Sequence, residues 1–236
     1  MTVFLIIIGI LAVFILIVLF YYNKAFPEAQ EIADKMDMID RDYWFHGDKK
    51  IGFLIFTGAQ TDEPAYAYIA YLLHRGSYPV VIPKQPFQMS AFGVKHGMEI
   101  MESHPEIEKW ILIGHSLGGV PVSRIAAARP DQVIGAAFLA TYASADLSGL
   151  DISAIRIVAE NDGIMDNDRM PNFNHNLPED SATVIIKGAN HQGFAAYDSL
   201  SNRDGKATIS WQEQNELSVR YILEFFEEQI SEVVSD

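Results

Sequence analysis

The chain has 236 residues, with 31 Asp and Glu against 17 Lys and Arg and a formal charge of -14. That balance excludes nucleic acid as a partner, because phosphates need basic surfaces, and it offers no attraction to anionic lipid. The absence of cysteine excludes disulfides, thiolate metal sites and a thiol nucleophile, while the length suits one α/β domain with a buried core.

Val3 to Phe20 carries no charge and no strongly polar residue. With Tyr21 and Tyr22 the run is about 20 residues, enough as a helix to cross a hydrocarbon core. Tyrosines fit the interfacial belt and Lys24 the snorkelling position behind it. A cleaved signal peptide is the competing reading. It calls for a basic stretch ahead of the run and a small-x-small site behind it, and neither is present. Residues 1–24 are therefore expected to be a single-pass transmembrane anchor. Lys24, Lys35 and Arg41 all follow the run, so the positive-inside rule places the rest of the chain in the cytoplasm. Those three charges are mixed with carboxylates, and the side of the membrane stays open.

Residues 25–50 read as a juxtamembrane segment, helical in spacing from Ala25 to Ile39, and a first edge strand at Tyr43–Phe45. Residues 51–236 read as the folded domain. Ile51 to Phe56 is a continuous apolar run, the pattern of a strand buried on both faces. Thr57-Gly58-Ala59-Gln60 is the loop after it. A helix then starts at Thr61-Asp62-Glu63-Pro64, a capping residue with an early proline, and runs to Gly76. Tyr78 to Ile82 is a strand, Pro83 to Phe87 its exit loop, and Ser90 to Glu102 a helix. Trp110–Ile113, Val133–Leu139, Ile155–Ala159 and Thr183–Lys187 are further strands. The last helix spans Ser210 to Glu228 and opens on a capping-box pattern, Ser210-Trp211-Gln212-Glu213. Strands and helices alternate throughout, which predicts a mostly parallel sheet with helices on both faces.

The most informative stretch is Ile111-Leu112-Ile113-Gly114-His115-Ser116-Leu117-Gly118-Gly119. An apolar strand ends in Gly-x-Ser-x-Gly and a small-residue helix pattern follows from Val120 to Arg129. Such a turn is so tight that side chains two positions either side of its tip collide, so Gly114 and Gly118 belong there. Ser116 is then exposed at the strand ends, and the Leu117 N–H points to where an oxyanion would form. A chance glycine-rich turn is the plain alternative.

A serine hydroxyl needs a base, and the base an orienting acid. Asp162 lies just past the strand Ile155–Ala159 and is the chosen acid. Glu160, Asp166 and Asp168 compete with it, and Asn161-Asp162-Gly163 is also an ordinary turn composition. His191 lies past the last strand and is the chosen base. His175 reads as a surface residue, His74 and His96 fall on early helices, and His46 and His104 lie in early loops or helix ends. The side chain of His115 is expected to point away from the substrate side. The second oxyanion donor is expected from the Ala59 N–H, with Gln60 next.

These features resemble the α/β-hydrolase superfamily and, within it, the small dienelactone-hydrolase-like and esterase-like branch. The resemblance covers nearly all of Ile51 to Phe226 and rests on Phe56–Thr61, Tyr66–Gly76, Tyr78–Ile82, Gly114–Gly119, Asp162 and Gly188-Ala189-Asn190-His191. Asp204-Gly205-Lys206-Ala207-Thr208-Ile209-Ser210 also looks like a bacterial subgroup of membrane-anchored or exported hydrolases. Two departures stand out: the loop reads Thr57-Gly58 where many members have His-Gly, and dienelactone hydrolases proper carry Cys where this chain has Ser116.

The resemblance implies an α/β-hydrolase fold preceded by one transmembrane helix. It implies a serine hydrolase that cleaves carboxylic esters through Ser116, Asp162 and His191, with Leu117 and Ala59 as the oxyanion hole and no metal or organic cofactor. The expected partners are a small-molecule or polymer-borne ester and the membrane. A catalytically inactive binding module and an acyltransferase using the same three residues are the alternatives. Leu139 to Ile155 leaves no room for a helical lid, so the site is expected to be open, which disfavours lid-gated activation at a lipid interface.

Overall fold

The structure is a computed structural model that describes residues 22–165, 170–198 and 202–235, together with Gly9. The apolar run Val3–Phe20 lies outside the described residues apart from Gly9, as do Asp166 and Asp168. Among the described residues no helix is long and apolar enough to cross a membrane.

In chain order the elements are α1 (Pro27–Ala33), β1 (Asp37–Ile39), β2 (Asp42–Phe45), β3 (Ile51–Phe56), α2 (Ala67–His74), β4 (Val80–Ile82), α3 (Val94–Ser103), β5 (Lys109–His115), α4 (Gly119–Ala128), β6 (Val133–Leu139), β7 (Ser153–Ala159), β8 (Ser181–Ile186), α5 (Trp211–Phe225) and α6 (Glu227–Ser235). Short 3₁₀ turns at Glu63–Tyr66, Pro86–Gln88, Ser90–Phe92, Ser116–Gly118, Met170–Asn176 and Gln192–Phe194 join them. Among the described residues the strands form one sheet in the order β1-β2-β4-β3-β5-β6-β7-β8. Pairing is parallel from β4 to β8 and antiparallel at the β1/β2/β4 edge.

Period-two alternation sorts the central strands onto two cores. Phe53 and Ile55 of β3 and Ile111 and Ile113 of β5 face one layer, with Tyr66, Ile69, Leu73, Phe194, Ile222 and Phe226. Leu54, Phe56, Trp110 and Leu112 face the other, with Ile100, Met101, Val122 and Ile125 of α3 and α4. Each such side chain removed fully from water contributes about 1.5–3 kcal/mol. With both faces covered, function is confined to the strand ends, and the loops after β3, β5, β7 and β8 meet at the carboxyl edge.

The chain departs from the sequence expectation in three places. The helical spacing from Ala25 to Ile39 ends early, because Asp37–Ile39 pairs with Asp42–Phe45 as a hairpin. β1 is therefore the edge strand, and the strand expected at the edge, β2, is covered by β1 and β4. The final helix breaks at Phe226 into α5 and α6. Its start is capped as expected, with the Ser210 hydroxyl accepting the Glu213 N–H at 3.1 Å.

Candidate active site

The turn after β5 is closed on itself by backbone. A Cβ on Gly114 would overlap the Gly118 carbonyl, and one on Gly118 would overlap the Phe56 carbonyl at the end of β3. Glycine at both positions lets the strand, the turn and α4 pack with no side chain between them. Ser116, at the tip, is forced to φ 51°, a left-handed conformation that serine does not adopt by preference. Gly118→Ala is expected to destabilise the fold by more than about 3 kcal/mol, since its neighbours are main chain and cannot rotate away. Urea unfolding of the variant checks this.

His191 and Asp162 meet directly. His191 Nδ1 lies 2.9 Å from Asp162 Oδ2, and the two side chains are only 5% and 1% exposed. The other carboxylate oxygen of Asp162 accepts the N–H groups of Ile164 at 2.9 Å and Met165 at 2.8 Å. Of the competing acids, Glu160 instead accepts the Gly188 N–H at 2.8 Å and braces the turn before His191. His175 is exposed, as expected.

An open cleft of about 160 Å³ is lined by Asn23, Gly58, Ala59, Thr61, His115, Ser116, Ile164, His191, Gln192 and Tyr197. Ser116 Oγ forms no hydrogen bond among the described residues, and it shares this cleft with His191. Two aromatics in loops after strands do not line it: Phe87 is exposed, and Tyr142 stacks on Phe173 with ring centroids 3.9 Å apart. A larger hollow of about 510 Å³ lies at the opposite, amino end of the strands, near Lys109, Ser153 and Asp180, far from these groups.

The expectation for His115 is overturned. His115 lines the cleft, and its buried ring packs on His191 with centroids 4.7 Å apart rather than turning away from it. The reason is strand alternation: residue 115 follows Ile111 and Ile113 onto the layer that holds Tyr66 and Phe194. The Tyr66 hydroxyl lies 2.7 Å from His115 Nδ1 and accepts the Gly58 N–H at 2.7 Å. Burial, then the neighbouring His191, pushes the His115 pKa well below the usual histidine range. A neutral His115 places no positive charge against His191, so a proton arriving on His191 meets no repulsion from it.

The backbone donors are sorted by what they already bind. The Gly58 N–H is taken by Tyr66, and the Gln60 N–H donates to the Gln88 carbonyl at 2.7 Å. Ala59 is exposed in the cleft, and Leu117 follows Ser116 in the first turn of the elbow helix, where N–H groups lack helical partners.

Sequence reading missed the groups that hold the His191 loop. Asp204 accepts the N–H of Gln192 at 2.8 Å, of Gly163 at 3.0 Å and of His191 at 3.3 Å, tying the Asp162 loop to the His191 loop. A Cβ on Gly205 would overlap the Asn161 carbonyl, so the two Asp-Gly pairs, at 162 and 204, pack closely together. From α5, the fully buried Gln214 grips the main chain of Asn190 at both N–H (3.2 Å) and carbonyl (2.8 Å). Asn215 donates to the Gly193 carbonyl at 2.7 Å. The signal was polar residues at 214, 215 and 218 on the face of α5 that the sheet buries. Asp204→Ala strands four N–H groups, those of Gly163, His191, Gln192 and Gly205. It is expected to lower kcat by up to about 100-fold through misplacement of His191 while leaving KM nearly unchanged. Steady-state kinetics against thermal unfolding separates this from a general loss of stability. Tyr197, also at the cleft, has its phenol pKa raised by burial and by the carboxylates of Asp204 and Asp162, and stays protonated.

A mostly parallel sheet with a Gly-x-Ser-x-Gly elbow at its carboxyl edge defines the α/β-hydrolase class. The model of the alpha/beta hydrolase family matches residues 52–216, and this chain belongs to that family. A search of curated proteins gave no match. Among solved structures it is similar to MGS-MChE2, an alpha/beta hydrolase enzyme from the metagenome of lagoon sediments of Mar Chica, Morocco, with a TM-score of 0.63 and 16% identity over 83% of this chain and 99% of the other. It is similar to a monoacylglycerol lipase of Paleococcus ferrophilus, with a TM-score of 0.59 and 16% identity over 78% and 98% of the two chains. It is similar also to a marine microorganism esterase, with a TM-score of 0.56 and 14% identity over 81% and 100%. At these identities the likeness is one of fold, and the family makes the chain a hydrolase in general terms.

Proposed function

We propose that this chain is a serine carboxylesterase of the small, lid-less esterase-like branch, held at a membrane by residues 1–24. The observation that carries the reading is the 2.9 Å contact of Asp162 with buried His191, which lines the same cleft as Ser116 at its strained elbow. In this mechanism Ser116 Oγ bonds to the ester carbonyl carbon and gives its proton to His191 Nε2. Asp162 holds the Nδ1–H and steadies the imidazolium. The carbonyl oxygen becomes an oxyanion received by the Leu117 and Ala59 N–H groups. The carbon–oxygen ester bond breaks, and the alcohol leaves with the proton from His191. Water, deprotonated by His191, then bonds to the acyl carbon, the bond to Ser116 Oγ breaks as His191 returns the proton to Oγ, and the acid leaves. Every step uses groups of this chain and water. That proteins similar in fold include a monoacylglycerol lipase and an esterase agrees with an acyl substrate.

The full chain should be labelled at Ser116 by a fluorophosphonate, with the Ser116→Ala variant unlabelled. A wild-type chain that takes no label would leave an inactive binding module in place of the enzyme. Product analysis with a competing alcohol tells hydrolysis from acyl transfer.

A further inference from the structure

The apolar run of the sequence ends at Phe20, and three residues later the chain is already part of the cleft. Asn23 pairs with Thr61 in a β-bridge. Its N–H donates to the Gln60 carbonyl at 2.7 Å, and its carbonyl accepts the Asp62 N–H at 2.9 Å. Ala25 is bridged to Tyr197, another cleft residue. An extended residue spans at most about 3.6 Å, so Phe20 and Asn23 are separated by no more than about 11 Å. The headgroup layer on each side of a bilayer is roughly 5–7 Å deep. A span ending at Phe20 therefore holds Asn23 within about 4–6 Å of the outer surface of that layer.

Exposed apolar side chains stand on the elements around the cleft. Phe87 is 58% exposed, Phe92 63% and Ile164 39%. Ile164 lines the cleft with Asn23. The turn holding Phe87 is bonded to the Ala59 loop through Gln60 and Gln88, and Phe92 ends a turn that packs on Ser116–Gly118. Phe87 also sits at φ 56°, a costly conformation for phenylalanine that no burial of its ring repays. We infer that the mouth of the Ser116 cleft faces the bilayer that anchors the chain, with Phe87, Phe92 and Ile164 in its interface, and that the substrate is a long-chain acyl ester dissolved in that bilayer. This rests on the anchored-esterase reading above and names its substrate. It also revises the expectation drawn from the missing lid: a site held permanently at the interface needs no gate to be opened by it. The formal charge of -14 makes a zwitterionic surface the suitable one.

The test uses the full chain reconstituted in phosphatidylcholine vesicles. Because the sequence has no cysteine, Phe87→Cys, Phe92→Cys, Ile164→Cys and Glu106→Cys each accept a single environment-sensitive dye. Glu106 is exposed just before β5, at the opposite end of the sheet. Nitroxide-bearing lipid is expected to quench the first three several-fold more than Glu106→Cys. Equal quenching at all four sites, no quenching, or a chain that does not stay with the vesicles overturns the inference. A second arm compares methylumbelliferyl oleate dissolved in the vesicles with methylumbelliferyl acetate in water. Inserting 30 Gly/Ser residues between Tyr21 and Tyr22 is expected to lower oleate turnover about tenfold or more, since effective concentration falls with tether length, and to leave acetate turnover unchanged. Oleate turnover insensitive to the insert overturns the inference and spares the esterase. Absence of both turnovers and of fluorophosphonate label defeats the esterase, while the quenching still decides the orientation of the mouth.

Discussion

Ser116→Ala is expected to lower kcat on a carboxylic ester by about 10⁶-fold with little change in KM. In the proposed mechanism the hydroxyl is the group that becomes covalently bonded to the acyl carbon, and nothing else at the elbow replaces it. The cleft walls and the Leu117 and Ala59 N–H groups remain, so a residual rate of about 10³–10⁴ over water is expected. Alanine tolerates the φ of 51° at this position about as poorly as serine does, so the melting temperature should stay near that of the wild type. His191→Ala should cost about as much alone, and the double variant should be no slower than either, because groups acting as one unit are not additive. Two losses that multiplied instead would mean that Ser116 and His191 work separately.

Asp162→Asn is expected to lower kcat by about 10⁴-fold while the fold stays intact. One carboxylate oxygen of Asp162 receives the Ile164 and Met165 N–H groups at 2.9 and 2.8 Å, which an amide oxygen satisfies equally well. The other faces His191 Nδ1 at 2.9 Å. In the variant that place is taken by an NH₂ group, a donor only. His191 must then present Nδ1 as an acceptor and carry its proton on Nε2, the nitrogen that has to take the proton of Ser116. The base is thus occupied before the reaction begins. Imidazole nitrogen NMR should report the exchanged tautomer, and labelling by the fluorophosphonate should slow in parallel with kcat. Unchanged turnover would remove Asp162 from the mechanism.

The strands were readable because their signal is local. Ile51–Phe56 and Val133–Leu139 are continuous apolar runs, and the structure forms strands over those same residues. The hairpin at Asp37–Phe45 was less legible, since three-residue strands leave no periodicity to set against a helical one. The direction of His115 follows from the alternation of β5 past Ile111 and Ile113, which the elbow motif around Ser116 does not display. The roles of Asp204, Gln214 and Asn215 are illegible for another reason. Their hydrogen bonds reach across loops to main-chain groups, and a main-chain partner leaves no mark in the sequence.

What the sequence determined by itself is what short-range sterics and hydrophobicity dictate. Gly114-His115-Ser116-Leu117-Gly118 specifies the elbow because only glycine fits where backbone meets backbone, and the uncharged run to Phe20 specifies a segment that water disfavours. The tertiary structure decided which acid meets which base. Asp162 and His191 are 29 residues apart, and β7 and β8 must pair in register before their loops coincide. It decided too that Asn23, beside that apolar run, closes the wall of the cleft. Such contacts depend on chain crossings whose geometry is fixed only when the whole sheet has assembled, because no local interaction measures the distance between them.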